Sequence, residues 1–390
     1  MHILLVHNTY IYPGGEDDVF AGEKALLEKH GHTTSTFVRD NREIETYSPL
    51  QRAVLGLRAT WSPAAGRSIA QLLRDNRADV AHFHNTFPLI SPSAYYACRD
   101  AGVRVVQSLH NPRLLCPGNT MFREGKLCLD CFGKSAPWPS VVHGCYHKSR
   151  AQSAAISLMI AAHHAIGTWN DAIDAYIVST AFYRGQFIAA GLPEEKIHVK
   201  PHFVFEDPGV GTGTGTYALF AGRLAEEKGI ATLASAWKQL RNIPLKVRGE
   251  GPLSDEMERA AAENSCIEML PRLGRADYYN LVRGARFLVW PSIGYYETFG
   301  RVVIEAFACG VPVIASDLGA CAELVTDGET GLHVKAGDAA DLAKKVQWAW
   351  EHPREMQAMG KQARERYQQR YTPEQNYREL IAIYEHTQRG

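Results

Sequence analysis

No stretch of this 390-residue chain is apolar for long enough to cross a bilayer. Runs such as Ala154–Ala162 fall well short of the ~20 residues that a spanning helix needs. An excess of one charge is also missing, since 42 Lys+Arg stand against 42 Asp+Glu. Without a global positive field, no nucleic-acid partner is expected. The opening Met1-His2-Ile3-Leu4-Leu5-Val6-His7 has no basic n-region and reads as a strand, so no signal peptide and a cytoplasmic location are expected. Cysteine is sparse: eight residues, which in a reducing compartment are thiols or metal ligands more often than disulfides. At 45% hydrophobic and 22% charged residues, the composition excludes disordered and fibrous classes.

What the chain does have is a repeating strand–helix rhythm. Short runs rich in Val, Ile and Leu occur at His2–Asn8, Asp79–Asn85, Val103–His110 and Ala175–Ser179, separated by helical patterns. The Gly/Thr/Pro segment 205–216 breaks every period and reads as a flexible linker. Beyond it the rhythm restarts, with strands at Tyr217–Gly222, Leu245–Arg248, Cys266–Leu270, Phe287–Trp290 and Val311–Ala315 and a long helical tail. Near-continuous apolar strands alternating with helices indicate parallel sheets covered on both faces. The expected fold is therefore α/β: two doubly wound, Rossmann-like domains, 1–204 and 217–371, facing each other across a cleft. Ligands of such sheets bind beyond the carboxyl ends of the strands.

Three segments carry chemistry at such strand ends. In Thr9–Asp17, the paired Gly14 and Gly15 join a strand to a helix, where backbone amides hold an anion or simply make a tight turn. No Gly-Lys-Ser/Thr follows, so this is not a Walker loop. In Phe220–Gly229, Arg223 and Lys228 sit five apart between a strand and a helix, within reach of one polyanion. In Pro291–Val313, Glu297 and Glu305 are separated by seven residues. The free amides near Phe299–Arg301 would point at a phosphate, Glu297 could meet sugar hydroxyls, and Glu305 could accept from the hydroxyls of a ribose or be a plain surface residue.

With these motifs the sequence resembles the retaining nucleotide-sugar glycosyltransferases of family 4 (glycosyltransferase group 1), which have the GT-B fold. The likeness is closest over Tyr217–Val334. It implies a nucleotide-diphosphate sugar held by the second domain, a glycan or lipid-linked acceptor held by the first, and transfer without a catalytic metal. A C-terminal helix, 372–390, would cross back to the first domain. Carried over by position, Arg223 and Lys228 would neutralise the donor diphosphate and Gly222 would precede them at the strand end. Glu297 with Thr298 would meet the transferred sugar, Phe299 and Gly300 would offer backbone to the phosphates, and Glu305 would hold the ribose. Gly14 and Gly15 would approach the diphosphate from the other side. His110 would contact the sugar; it ends the strand Val103–His110. The implied reaction is hexosyl transfer in bacterial surface-polysaccharide synthesis. The same architecture also serves epimerases and phosphorylases of activated sugars, or a non-catalytic nucleotide-sugar-binding subunit. Two positions depart from the family: Gly294-Tyr295-Tyr296 precedes Glu297, and Asn111 replaces an acidic residue.

Two further features stand outside those motifs. The loop 111–150 contains Cys116, Cys128, Cys131 and Cys145, spaced C-x11-C-x2-C-x13-C. That spacing allows a structural zinc, a disulfide or free thiols, and a loop of about 40 residues needs some staple. Residues 51–150 hold 13 Lys+Arg against 5 Asp+Glu, and the segment Leu50–Trp61 mixes apolar with basic side chains. Peripheral contact with an anionic membrane surface is one expectation, a core-packing helix the other.

Overall fold

Buried parallel strands need cover on both faces. The computed structural model, which describes residues 1–11, 14–211, 214–295 and 297–389, provides that cover twice. By its internal contacts the chain divides into unit 1, Met1–Met121, Cys128–Lys200 and Tyr377–Gly390, and unit 2, Phe122–Leu127 and Pro201–Asn376. Tyr12 and Pro13 of the Gly-Gly loop, Thr212 and Gly213 of the expected linker, Tyr296 beside Glu297, and Gly390 lie outside the described residues.

Unit 1 carries β1 (His2–Thr9), β2 (Thr33–Asp40), β3 (Val80–Phe83) and β4 (Arg104–Ser108). A two-stranded hairpin follows in sequence, β5 (Phe122–Arg123) and β6 (Lys126–Leu127), which groups with unit 2. The last strands of unit 1 are β7 (Ala175–Val178) and β8 (Ile197–Val199). Its sheet has the order β2-β1-β3-β4-β7-β8 and every pairing is parallel. Ile3, Leu5, Val80, Val106 and Ile177 form one core with Phe20 and Leu27 of the helix Gly15–Lys29 and Leu380 and Tyr384 of the helix Pro373–Arg389. Burying each such aliphatic side chain contributes about 1.5–3 kcal/mol.

Unit 2 contains β9 (Tyr217–Ala221), β10 (Leu245–Arg248), β11 (Ile267–Leu270), β12 (Ala285–Trp290), β13 (Val313–Ser316) and β14 (Gly331–Val334). The all-parallel order is β11-β10-β9-β12-β13-β14, so the chain reverses direction across the sheet between β9 and β12. Successive residues of a strand point to opposite faces. Ala218 and Phe220 accordingly enter one core with Trp237 and Val346, while Leu219 and Ala221 enter another with Phe307 and Tyr367.

The Gly/Thr segment expected as a flexible linker is fastened to unit 2 instead. Arg364 donates to Asp207 at 2.7 Å, the Gly211 amide to Cys309 O at 2.9 Å, and Arg286 Nε to Gly215 O at 2.9 Å. These described groups bond to neighbouring loops and side chains rather than to solvent alone. Strands β2, β5, β6, β8 and β14 are additions to the sequence reading.

Candidate active site

At the reversal between β9 and β12, two loops leave the carboxyl ends of adjacent strands. The first runs from Gly222 to Gly229. Its Gly229 has φ +72° and caps the helix Ile230–Trp237; a Cβ there would lie 1.9 Å from Pro291 O of the second loop. The Ile293 amide donates to Glu227 O at 3.0 Å, so backbone joins the two loops. Across this junction Lys228 Nζ forms an ion pair with Glu297 Oε1, both side chains largely buried. The same oxygen accepts from Trp290 Nε1 at 3.1 Å and Ser292 Oγ at 3.0 Å. Three donors thus hold one carboxylate oxygen, while Oε2 accepts no hydrogen bond among the described residues.

Gly300, with φ +101°, caps the helix Arg301–Ala308. A Cβ at this position would come 2.3 Å from the Trp290 ring, the ring that positions Glu297. Phe299 is buried between His202 and Tyr371, and Thr298 is half-buried. One turn into that helix, Glu305 Oε2 accepts from Tyr278 OH at 2.7 Å and Oε1 lies 3.7 Å from Arg301. Burial pushes the Tyr278 hydroxyl well up, so it stays a donor. Arg223 lies on the first loop with its side chain exposed, and Gly222 is tied to Arg248 O through its amide at 3.0 Å.

Sequence reasoning missed the partners of these residues. Gly249-Glu250-Gly251 follows β10 and packs beside the first loop, with the Leu224 amide donating to Glu250 O at 3.0 Å. A Gly-x-Gly at a strand end was the available signal. Arg248, at the end of β10, places its guanidinium over Tyr278, 5.4 Å from the ring centre. Trp290, Ser292 and Tyr278 gave no signal, because their role depends on which side chain each one faces.

In unit 1, Gly14 caps the helix Gly15–Lys29, whose first turn carries Glu16, Asp17 and Asp18. Asp17 accepts from the Gly14 amide at 2.7 Å and from His7 Nε2 at 2.9 Å, which holds its carboxyl below the usual carboxylate range despite burial. Glu16 accepts from Asn111 at 2.7 Å and Tyr10 at 2.9 Å; burial raises its carboxyl. The asparagine that replaces an acidic residue thus bonds a carboxylate it would otherwise repel. His110 lies just beyond β4, and burial, then the nearby His7 and Lys200, push its imidazole down to about 3. It borders a pocket of ≈ 590 Å³, open mouth included, lined also by His84, Asn85, Arg113, Leu114 and Trp169.

The four loop cysteines are close neighbours. Cys116 and Cys145 both flank Gly118, and Cys116, Cys145 and Cys128 all act electrostatically on Cys131, whose thiol burial pushes up to about 12. Among the described residues, the trio with ligand atoms within 4.8 Å of one another lies elsewhere: Glu23, His82 and His84. It does not fit a cation. Lys200 Nζ already sits 2.6 Å from Glu23 Oε1, and both His82 nitrogens are engaged, with Tyr384 OH and Ser108 Oγ at 2.8 Å.

Residues 20–202 match the family model of the glycosyl transferase 4-like domain, and residues 209–366 that of glycosyl transferases group 1. The D-rhamnosyltransferase WbpZ of Pseudomonas aeruginosa is 32% identical over 159 residues, 40% of this chain and 42% of that protein. A D-inositol 3-phosphate glycosyltransferase of Arthrobacter is 30% identical over 202 residues, 49% of this chain and 43% of that protein. The match therefore spans less than half of either curated relative. Among solved structures, the sucrose-phosphate synthase of Thermosynechococcus elongatus superposes with a TM-score of 0.73 at 19% identity, over 99% of this chain and 98% of that one. Anabaena HepE in complex with UDP superposes at 0.68 and 18%, over 98% and 99%. With the two family models side by side along a pair of parallel six-stranded sheets, the chain belongs to the group 1 glycosyltransferases, on the GT-B fold.

Proposed function

We propose that this protein is a retaining hexosyltransferase that uses a nucleotide-diphosphate sugar and passes the sugar to a glycan or lipid-linked acceptor in surface-polysaccharide synthesis. The observation that carries this reading is the Lys228–Glu297 pair at the strand reversal of unit 2, with Glu305 one turn into the next helix. UDP and UDP-glucose in the HepE complexes support the donor class.

Bond cleavage at the anomeric carbon builds positive charge on the sugar and negative charge on the departing diphosphate. Arg223, Lys228 and the amides opening the helix Arg301–Ala308 stabilise that negative charge. Glu297 offers Oε2 to sugar hydroxyls while its other oxygen stays fixed. Glu305, oriented by Tyr278, accepts from the ribose. The C1–O bond to phosphate breaks, a C1–O bond to the acceptor forms on the same face, and the acceptor proton leaves on the released phosphate oxygen. No step requires a metal. Gly14 and Gly15 offer backbone to the diphosphate, and His110 lines a pocket of unit 1 suited to an acceptor.

The acceptor reading is supported by the surface of unit 1. Leu50, Leu57, Trp61, Val142, Leu158 and Ile166 are exposed. They lie on or beside four helices, of which Arg150–Ala165 packs against both Leu55–Thr60 and Pro139–His143. Residues 46–74 and 131–170 hold four and three Lys+Arg and no Asp or Glu. Apolar side chains within an acid-free basic surface suit anionic headgroups. No described helix is long and apolar enough to cross a membrane, so contact would be peripheral.

The test is turnover of a nucleotide-sugar panel with lipid-linked saccharide acceptors, the product read by NMR. A retained anomeric configuration is expected; an inverted product, or conversion of the donor without any acceptor, contradicts the reading. Sedimentation with anionic vesicles at low salt is expected to carry the protein down, and Leu57→Glu to leave it in solution; a protein that ignores such vesicles has no membrane role.

A further inference from the structure

Under the carboxyl ends of β3 and β4 lies a buried polar cluster that the proposed reaction does not use. Glu23 comes from the helix Gly15–Lys29, His82 from β3, His84 from just beyond it, Lys200 from just beyond β8, and Tyr384 from the helix Pro373–Arg389. All are buried, Glu23 and Lys200 to within 1–2% of full burial. A carboxylate and an ammonium in such a place are tolerated because they pair, at 2.6 Å.

The pairing leaves Glu23 Oε2 over. His82 does not need it, since its two nitrogens already face Tyr384 OH and Ser108 Oγ. His84 does need it. Its Nε2 lies 3.7 Å from Glu23 Oε2, and neither atom has a hydrogen-bond partner among the described residues. The other nitrogen, His84 Nδ1, is 3.0 Å from His110 Nε2, and the two rings stack with centroids 5.2 Å apart.

A carboxylate oxygen only accepts, so Glu23 is satisfied only if His84 carries its proton on Nε2. A neutral imidazole has one N–H. His84 Nδ1 must then accept, and the proton it accepts belongs to His110 Nε2. We propose that Glu23 and His84 are positioning residues that hold His110 as its Nε2–H tautomer, so that Nδ1 is the accepting nitrogen. The direction of this relay fixes what His110 can do for a bound sugar or acceptor: it accepts a hydroxyl proton's hydrogen bond at Nδ1 and donates none there. Burial supports the assignment by keeping both rings neutral, with His84 well below its ordinary range and His110 at about 3. The remaining charged or titratable neighbours are His7, which bonds Asp17, together with His82, Lys200 and Tyr384.

The experiment is a long-range ¹H–¹⁵N correlation spectrum of the full chain labelled at histidine nitrogen, assigned through His110→Gln and His84→Gln. The expected result is protonated Nε2 and bare Nδ1 on both rings. A proton on His110 Nδ1, or on His84 Nδ1, overturns the proposal. Because the spectrum needs no substrate, its outcome is separate from that of the transferase reading on which the role of His110 rests. In the kinetic arm, His84→Gln keeps an amide oxygen to accept from His110 and is expected to retain most activity. His84→Met is expected to lower kcat roughly ten- to a hundredfold, as for other lost partners that orient a histidine, with the donor KM unchanged. Equal kcat values for the two variants would overturn the relay. Glu23→Gln alone strands Lys200, so it is paired with Lys200→Met; the folded double variant is expected to show His110 in mixed tautomers, and an unchanged spectrum removes Glu23 from the relay.

Discussion

Lys228 and Glu297 form an ion pair across the loops that leave β9 and β12, the two neighbouring strands at which unit 2 reverses its order. One is a candidate contact for the diphosphate and the other for the sugar. Their pairing keeps each charge compensated in a largely buried place.

Removing the lysine is therefore expected to act twice. Lys228→Ala strands the Glu297 carboxylate, at a cost of about 3 kcal/mol in folding stability. It also lowers turnover by about two to three powers of ten. The double variant Lys228→Ala/Glu297→Gln is expected to recover most of the stability and none of the rate. Chemical denaturation and initial rates check both; a double variant with restored rates would take the pair out of the chemistry.

Glu305 and Tyr278 form the ribose end of the account. A hydrogen bond to a charged group contributes about 1.5–3 kcal/mol, which corresponds to a roughly ten- to hundredfold change in binding. Glu305→Ala is expected to raise the donor KM by that factor while kcat stays within about threefold. Tyr278→Phe, which frees the carboxylate that Tyr278 OH now bonds at 2.7 Å, should follow in the same direction and by less. A fall in kcat at constant KM would place Glu305 at the reacting sugar instead.

Acid should weaken unit 1 in a defined window. Burial holds His82 and His84 well below the ordinary histidine value and His110 at about 3. In the unfolded chain these groups protonate near 6.5. Below that value the unfolded state binds more protons than the folded one, so the stability they contribute is complete above about pH 6.5 and is lost as the pH falls toward the folded values. Each contributes a slope of about 1.4 kcal/mol per pH unit. Urea unfolding between about pH 7.5 and 5.5 is expected to show that decline; a flat profile would mean the rings protonate as readily folded as unfolded.

The loop cysteines make a separate prediction. Cys116, Cys128, Cys131 and Cys145 share one neighbourhood, and a structural zinc would take them as thiolates and release their protons. No three of their sulfurs lie within 4.8 Å of one another, so zinc would have to draw them together; protein purified without chelator is then expected to carry about one zinc per chain and to lose stability when the metal is stripped. Four thiols that titrate fully in the untreated folded protein would show that burial alone orders the loop.

Much of this architecture was legible in the residues, and the exceptions have physical causes. Strands β1, β3, β4, β9, β12 and β13 lie inside their sheets, covered on both faces, and are therefore rich in apolar residues, with polar exceptions such as His82 and Gln107. Strand β2 is an edge strand reading Thr-Thr-Ser-Thr-Phe-Val-Arg-Asp, half exposed and without that signature. The segment 205–216 misled because glycine serves flexibility and close packing alike, and here Gly211 and Gly215 bond to Cys309 and Arg286. Glu297 and Glu305 stood out by spacing. Trp290, Ser292 and Tyr278, which orient them, did not, since no local pattern records a contact between separate elements. Glu23, His84 and Lys200 were hidden for the same reason, being drawn together from positions up to 177 residues apart. The hairpin Phe122–Leu127 lies within the Cys-rich loop of the sequence yet groups with unit 2, with Phe122 beside Gly294. Only the assembled fold shows that.

The central claim is that the strand reversal of unit 2 holds a nucleoside diphosphate through Lys228 and Glu305. Thermal denaturation in the presence of a panel of nucleoside diphosphates tests it most directly, because a ligand that binds only the folded chain raises its melting temperature. At least one diphosphate is expected to raise the wild-type Tm, with the rise lost in Lys228→Ala and in Glu305→Ala. A panel that leaves the wild type unmoved, or a rise that survives in both variants, would contradict it.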